Sequence, residues 1–281
     1  MSVSPTSIQS GFARSRSEAE FPRLFPDAGW WCPSLNPPGG ARLHDLSGRQ
    51  NWGTLTNMAN NDWVVSGGRG ALDFDGTNDY VAFAKNPIDA TLQTNYTITA
   101  WVRKSSGNAG SILSQYTSVT NHRLIRIFAY GATEFAYYAS TSAGGFQRVA
   151  YSSVPTLGQL HFLSVVVSGP LSGPTCRLGL NGSEQSFSLS ALSSTPDTSV
   201  PIYLSCTNAS AGGAPAEFAS FAAYDDLRIY NRALTAQEVR QLYQLGRGNM
   251  PRIRHRRYSV EEAGFKAYWA NRRSRIIGAG I

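Results

Sequence analysis

The chain has 281 residues, of which 42% are hydrophobic and 15% charged, with 27 glycines and 14 prolines. That composition excludes a disordered or fibrous chain and favours one large, turn-rich globular domain with tails over two domains. The formal charge of +7 resides wholly in residues 247–281, where nine basic residues stand against Glu261 and Glu262, while residues 1–246 carry sixteen basic and sixteen acidic residues, which excludes a broad basic nucleic-acid face from most of the chain.

Residues 1–25 read as an N-terminal arm, rich in Ser, Arg and Glu without apolar periodicity. An arm with no core of its own is ordered only against something else. The amino-terminal stretch lacks the apolar run of a secretory leader, and no segment approaches the ~18 apolar residues of a membrane span. The expectation is a protein that folds in the cytosol and is not exported by the general secretory route. Phe21-Pro-Arg-Leu-Phe-Pro26 and Trp30-Trp31 place large apolar groups between prolines, a segment suited to lying over a core rather than to forming a central strand.

Beyond Asn36-Pro-Pro-Gly-Gly40 the chain reads as short strands between turns. Ala71–Phe74 and Tyr80–Phe83 flank Asp75-Gly-Thr-Asn-Asp79. In Tyr96–Val102 strict alternation puts Tyr96, Ile98, Ala100 and Val102 on one face and Thr97, Thr99 and Trp101 on the other. Strands follow at Leu124–Phe128, Glu134–Tyr138, Phe162–Val167 and Cys176–Leu180, the last running into Asn181-Gly182, the pair that favours a type I′ hairpin turn. Ile202–Cys206 and Tyr224–Tyr230 complete the set. In the closing strand the same alternation predicts that Asp225, Leu227 and Ile229 share the core-facing side. A single helix is predicted between Leu234 and Tyr243, with Thr235 and Glu238 as a capping box and Gly246 as its stop.

Several of these segments together resemble the laminin-G-like, concanavalin-A-like jelly-roll family, in a variant common in environmental bacteria and their phages. The matching residues are Asp45-Leu-Ser-Gly48, Gly53-Thr-Leu-Thr56, Ala71-Leu-Asp-Phe-Asp-Gly-Thr-Asn-Asp-Tyr-Val81, Thr99-Ala-Trp-Val102, Leu180-Asn-Gly182, and Asp226-Leu-Arg-Ile-Tyr-Asn-Arg-Ala-Leu-Thr235 with Glu238 and Leu242-Tyr243. The resemblance implies an all-β fold, a two-sheet antiparallel jelly-roll sandwich over residues 26–246 with one short helix and extended terminal arms. It also implies a glycan- or protein-binding face and, in many relatives, a structural calcium held in part by the aspartate matching this closing strand. For Asp225 and Asp226 two readings stand side by side: calcium ligation, or a hydrogen-bonded turn or arginine pair with Arg228 or Arg232. Asp75 and Asp79 are likewise either metal ligands or turn-formers, since the Asp75–Asp79 loop is too short for an EF-hand.

Catalysis finds little support. Retaining glycosidases hold two carboxyls ~5 Å apart, a spacing that alternating strand positions supply, and no such glutamate pair is present in a strand. The four histidines form no metal motif, Ser164 and Ser168 lack a nucleophile elbow, and Cys32, Cys176 and Cys206 have no C-x-x-C spacing and read as buried free thiols. Glycan binding needs only exposed rings and a few polar groups, and Tyr137, Tyr138, Phe146 and Tyr151 are the candidates, with the core of the sandwich as the other place for such rings. Consecutive Tyr137 and Tyr138 must point to opposite faces.

The last 35 residues form a basic, apolar-tipped C-terminal arm. Arg252, Arg254, Arg256 and Arg257 make a basic run that reads as a protein-docking arm, a solvated linker or, against the neutral balance of the rest, a nucleic-acid contact, and Tyr268, Trp269, Ile276 and Ile277 give the end an apolar surface that calls for burial in a partner or a second copy. A recognition sandwich, no leader and two arms that need a partner lead to one expectation: a non-enzymatic virion structural protein, a phage decoration, fibre or tail-associated subunit made in the host cytoplasm. It would dock through its arms to other virion proteins and display a glycan-binding sandwich. A cellular carbohydrate-binding or adhesion module is the alternative.

Overall fold

The computed structural model describes residues 26–249 except 37, 67–68, 84–93, 106–109, 116–121, 124, 131–133, 152–155, 194, 197–200, 209–214 and 217. The first ten strands are β1 (Gly29–Trp31), β2 (Arg42–Leu43), β3 (Gly53–Thr56), β4 (Trp63–Ser66), β5 (Arg69–Asp75), β6 (Tyr80–Phe83), β7 (Tyr96–Lys104), β8 (Gly110–Gln115), β9 (His122–Arg123) and β10 (Ile125–Tyr130). The next ten are β11 (Glu134–Ser140), β12 (Phe146–Tyr151), β13 (Leu160–Ser168), β14 (Thr175–Leu180), β15 (Ser183–Ser188), β16 (Thr195–Pro196), β17 (Ile202–Leu204), β18 (Thr207–Asn208), β19 (Pro215–Ala216) and β20 (Ser220–Tyr230). One helix, α1 (Ala236–Asn249), follows. Among the described residues no helix is long and apolar enough to cross a membrane. The two arms expected from the sequence, with Arg252, Arg254, Arg256, Arg257, Tyr268, Trp269, Ile276 and Ile277, lie outside the described residues.

The two-sheet sandwich forms as the alternation predicts. The first sheet runs β15-β14-β13-β7-β20-β5-β4, with β1 also on β20, and the second runs β12-β11-β10-β8-β17-β6-β3-β2. Their inner faces share one apolar core, to which β7 contributes Tyr96, Ile98, Ala100 and Val102, while Trp101 points away into a separate cluster. Tyr96 and Tyr137 share a hydrogen bond between their hydroxyls across that core. The Asn181-Gly182 turn joins β14 to β15 with both residues at positive φ, 52° and 82°, as a type I′ turn requires. Leu178 and Leu180 face the core as expected.

In β20 the observed faces differ from the expected ones. Tyr224, Leu227 and Ile229 are the core residues, and Asp225 pairs with Trp101 on the opposite side of the sheet. The reason is a β-bulge: Asp226 takes a left-handed φ of 52°, one residue is left over, and the register shifts between Asp225 and Arg228. The bulge falls where β20 changes neighbour, from β5 at Tyr224 to β1 at Leu227.

The helix seals the outer side of the first sheet. Thr235 caps it, its Oγ1 accepting from Glu238 N at 3.2 Å while Thr235 N donates to the Glu238 carboxylate at 2.9 Å. Leu234, Val239 and Leu242 bury against Trp101, Phe162, Val166 and Tyr230, and each such side chain removed from water contributes about 1.5–3 kcal/mol. Gly246 does not stop the helix, which continues to Asn249. It serves a close approach instead, because a Cβ there would lie 2.6 Å from the Trp101 ring.

Candidate binding face

Two polar constellations stand on the outer faces of the two sheets. On the first sheet, the bulge delivers Asp225 and Asp226 to a buried ionic cluster. Arg69 Nε donates to Asp225 Oδ2 at 3.0 Å, and Ser34 Oγ and Cys32 Sγ approach the same carboxylate at 3.3 and 3.4 Å. Arg228 grips Asp226 through Nε at 2.8 Å and Nη2 at 3.0 Å, and Trp30 Nε1 adds a third bond at 2.8 Å. Each guanidinium lies over an indole, Arg69 over Trp101 at 4.5 Å and Arg228 over Trp30 at 4.8 Å.

Electrostatics in this cluster follow from burial. Desolvation pushes the Asp225 carboxyl above its ordinary range, against the pull of Arg69. Asp226 is buried to the same degree, yet Arg228 holds it below the ordinary range. Cys32 is driven well up by burial and by both carboxylates, so its thiol is inert. Cys176 and Cys206 are also free and buried. Two cations and two anions neutralise each other here, and the cluster cross-links β1, β5 and β20. Of the arginines considered for these aspartates, Arg228 makes a pair, whereas Arg232 binds Glu238 at 2.9 Å.

The metal candidates are therefore engaged otherwise. The Asp225 and Asp226 oxygens are occupied by guanidinium groups from Arg69 and Arg228. Asp75 Oδ1 accepts from the amides of Thr77 at 2.7 Å and Asn78 at 3.2 Å, and Asp79 Oδ2 accepts from Asp75 N at 3.1 Å, which is turn chemistry. Among the described residues no group of three or more His, Cys, Asp or Glu side chains is placed to hold a metal ion.

The second sheet presents the other face. Its register builds a transverse row on the side away from the core: Arg148 on β12, Tyr138 on β11, Arg126 on β10, Ser114 on β8 and Tyr203 on β17. Tyr138 and Arg126 are half-buried and Arg148 is exposed. The Arg126 guanidinium lies 5.8 Å from the Tyr138 ring centroid, and its Nε donates to Ser111 Oγ at 3.0 Å. Ser111 in turn bonds Thr207, and both hydroxyl residues are buried, so the arginine is oriented from beneath. Phe146, 49% exposed, stands on the same side two residues before Arg148. At the far margin Trp52, 40% exposed, meets Arg42 at 5.2 Å and His44 at 6.1 Å.

Of the four rings expected to bind ligand, the structure keeps two on the surface. Tyr137 and Tyr151 belong to the core between the sheets, and Tyr151 spends its hydroxyl on Ser183 O at 3.4 Å, linking β12 to the β14–β15 hairpin. Tyr138 and Phe146 remain. Arg126, Arg148 and Trp52 were not foreseen, although Arg126 is the polar member of an alternating apolar strand and so had to face outward.

Known proteins match this fold. A family model described as the concanavalin A-like lectin/glucanases superfamily matches residues 75–240. Among solved structures, the botulinum neurotoxin serotype D binding domain is 10% identical with a TM-score of 0.54, over 79% of this chain and 52% of that one. The type G receptor binding domain is 14% identical (TM-score 0.52, 78% and 51% coverage). The binding domain of botulinum neurotoxin DC in complex with SialylT is 13% identical (TM-score 0.55, 78% and 51%). The chain spans about half the length of these structures, and at such identities the likeness shows the fold alone. No curated protein matches.

Proposed function

Because the chain belongs to the concanavalin A-like lectin/glucanase superfamily, we propose that its sandwich is a non-catalytic module that binds a surface glycan on the outer face of the second sheet. The observation that carries this is the Tyr138–Phe146 pair of rings on the one sheet face that the helix leaves uncovered. An exposed ring offers a flat apolar surface to the C–H face of a sugar, and flanking polar side chains supply direction. The Arg148–Tyr138–Arg126–Ser114–Tyr203 row holds no carboxylate, so it offers neither the acid nor the base of a glycosidase. Glu184 is bound to Arg177 at 2.8 Å and Glu238 to the helix cap, which supports a binding role over hydrolysis.

The virion setting expected from the sequence rests on the recognition sandwich and the two arms, and the three structures named above are botulinum neurotoxin binding domains, which lend it no support. It belongs to this proposal only as the setting in which such a module would be displayed outward, on a particle assembled in the host cytoplasm. The test is a glycan array probed with the full chain, with and without calcium, beside the Tyr138→Ala and Phe146→Ala variants. Binding that both variants weaken is the expected result, and binding unchanged in both would move the ligand to another surface.

A further inference from the structure

Between Tyr138 and Trp52 the outer face of the second sheet carries a further group of rings. The transverse row that holds Tyr138 continues from Ser114 to Tyr203 on β17, Ala82 on β6 and Thr54 on β3. Tyr80, two residues before Ala82 on β6, stands on the same side. Its ring centroid lies 5.9 Å from that of Tyr203 in an edge contact and 6.3 Å from that of Phe218, and all three residues are half-buried. Elsewhere the fold uses tyrosine hydroxyls for architecture, joining Tyr96 to Tyr137 and Tyr151 to Ser183 O. Among the described residues the Tyr80 and Tyr203 hydroxyls have no such hydrogen-bond partner. Burial, followed by Cys206 and Tyr80, pushes the Tyr203 hydroxyl above its ordinary range, so it stays protonated and can both donate and accept.

We infer that Tyr80 and Tyr203 form a second sugar subsite on this face, so that the ligand is an oligosaccharide long enough to lie across the strands from Tyr138 to Tyr203. The inference rests on the glycan-binding reading above and adds chain length to it. Three strand steps separate β17 from β11, which puts Tyr203 roughly 14 Å from Tyr138, more than one sugar ring spans. Sugar hydroxyls donate and accept, as phenols do, and the Tyr203 ring offers its apolar surface to a C–H face. Tyr80 is held between Tyr203 and Phe218, so little side-chain freedom is lost when a sugar docks. Ser114, between the two subsites, is buried and gives its hydroxyl to Cys206 O at 2.7 Å, which makes it floor instead of a contact. Beyond Tyr203, half-buried Ala82 and exposed Thr54 keep that floor low toward Trp52.

Length ladders test this: the full chain is titrated with β-glucan, chitin and β-mannan oligomers, each from mono- to hexasaccharide. In at least one ladder the hexasaccharide should bind about ten-fold or more tightly than the disaccharide, the gain that a second stacked and hydrogen-bonded sugar gives. Tyr203→Ala should remove most of that gain. Tyr203→Phe and Tyr80→Phe keep the rings and their packing, so both should fold, and each should weaken the hexasaccharide roughly two- to ten-fold through the lost hydroxyl. Equal affinity for disaccharide and hexasaccharide in every ladder that binds, or a hexasaccharide that binds both Phe variants as it binds wild type, overturns the inference. Weaker binding by Tyr138→Ala would then leave glycan binding at Tyr138 standing. A chain that binds no ladder overturns the second subsite, and a glycan array dark throughout overturns glycan binding with it.

Discussion

The two outer faces of this sandwich start from similar strands and end in opposite states. In the first sheet the two carboxylates of the bulge are buried against Arg69 and Arg228, and the helix packs on the same outer side. The second keeps its arginines and several rings at or near the surface. What decides between them is the chain that follows β20: α1 returns across β7, β13 and β20, and the aromatic and ionic groups beneath it become architecture. A polar residue on such a sheet is therefore read through what covers it. The same arginine–aromatic pairing lies beneath the helix at Arg69–Trp101 and on the face away from it at Arg126–Tyr138.

The sharpest way to break this contrast is Arg69→Met. It strands the Asp225 carboxylate in a site where that residue is fully buried, and removes the 2.6 Å bond from Arg69 Nη1 to Gly246 O that ties the helix end to β5. A loss of about 3–5 kcal/mol is expected in urea unfolding. Adding Asp225→Asn should recover part of it, because the uncompensated charge goes too. Glycan affinity of the folded fraction should stay at the wild-type value. A cost below about 1 kcal/mol for Arg69→Met would mean that water reaches the cluster and that the first face is not sealed.

Gly246→Ala sets two effects of opposite sign against each other. Alanine is favoured over glycine inside a helix by about 1 kcal/mol. The new methyl would lie 2.6 Å from a Trp101 ring already packed against Phe162, Tyr243 and Arg69. Overpacking of this kind costs about 1–3 kcal/mol, so net destabilisation is expected. A rise in melting temperature would show that the helix lies more loosely on the sheet than the ring contacts indicate.

A smaller effect comes from the helix cap. The Glu238 carboxyl is held down from 4.5 to about 2, chiefly by its hydrogen bonds from Arg232, against some desolvation and with help from Thr235. A carboxylate whose folded value is depressed stabilises the fold fully above its unfolded value and loses that contribution as pH falls toward the folded one. Glu238→Gln should therefore cost about 1 kcal/mol at pH 7. The gap to wild type should close between pH 4.5 and pH 2 when both are followed by circular dichroism. A gap that stays constant over that range would assign the cap to Thr235 alone.

Much of the frame was legible because it is local. Alternation placed Tyr96, Ile98, Ala100 and Val102 in the core, and Asn181-Gly182 announced its hairpin. The capping box at Thr235 and Glu238 formed as read. What escaped depends on distant partners. The bulge at Asp226 comes from the exchange of β5 for β1 along β20, and that reversed the expected face of Asp225. Its counter-ion, Arg69, lies 156 residues away in sequence. For the consecutive tyrosines, opposite faces were certain, but only pairing with Val149 sent Tyr137 inward and left Tyr138 opposite Arg148. Gly246 carried a stop signal that the Trp101 contact overrode.

Trp52→Ala tests how far the open face extends. The indole is 40% exposed at the β2–β3 margin, and removing it should change stability by less than about 0.5 kcal/mol. Five strand spacings separate β3 from β11, which puts Trp52 roughly 24 Å from Tyr138. A short oligosaccharide held at Tyr138 should therefore bind the variant as it binds wild type. A longer chain that crosses the sheet should lose a few-fold in affinity, since stacking on an aromatic ring contributes about 1 kcal/mol or slightly more. Equal losses for short and long chains would place the principal contact at Trp52 and Arg42 instead of at Tyr138. No loss for either would confine the binding face to the β10–β12 edge, where Phe146, Arg148 and Tyr138 converge.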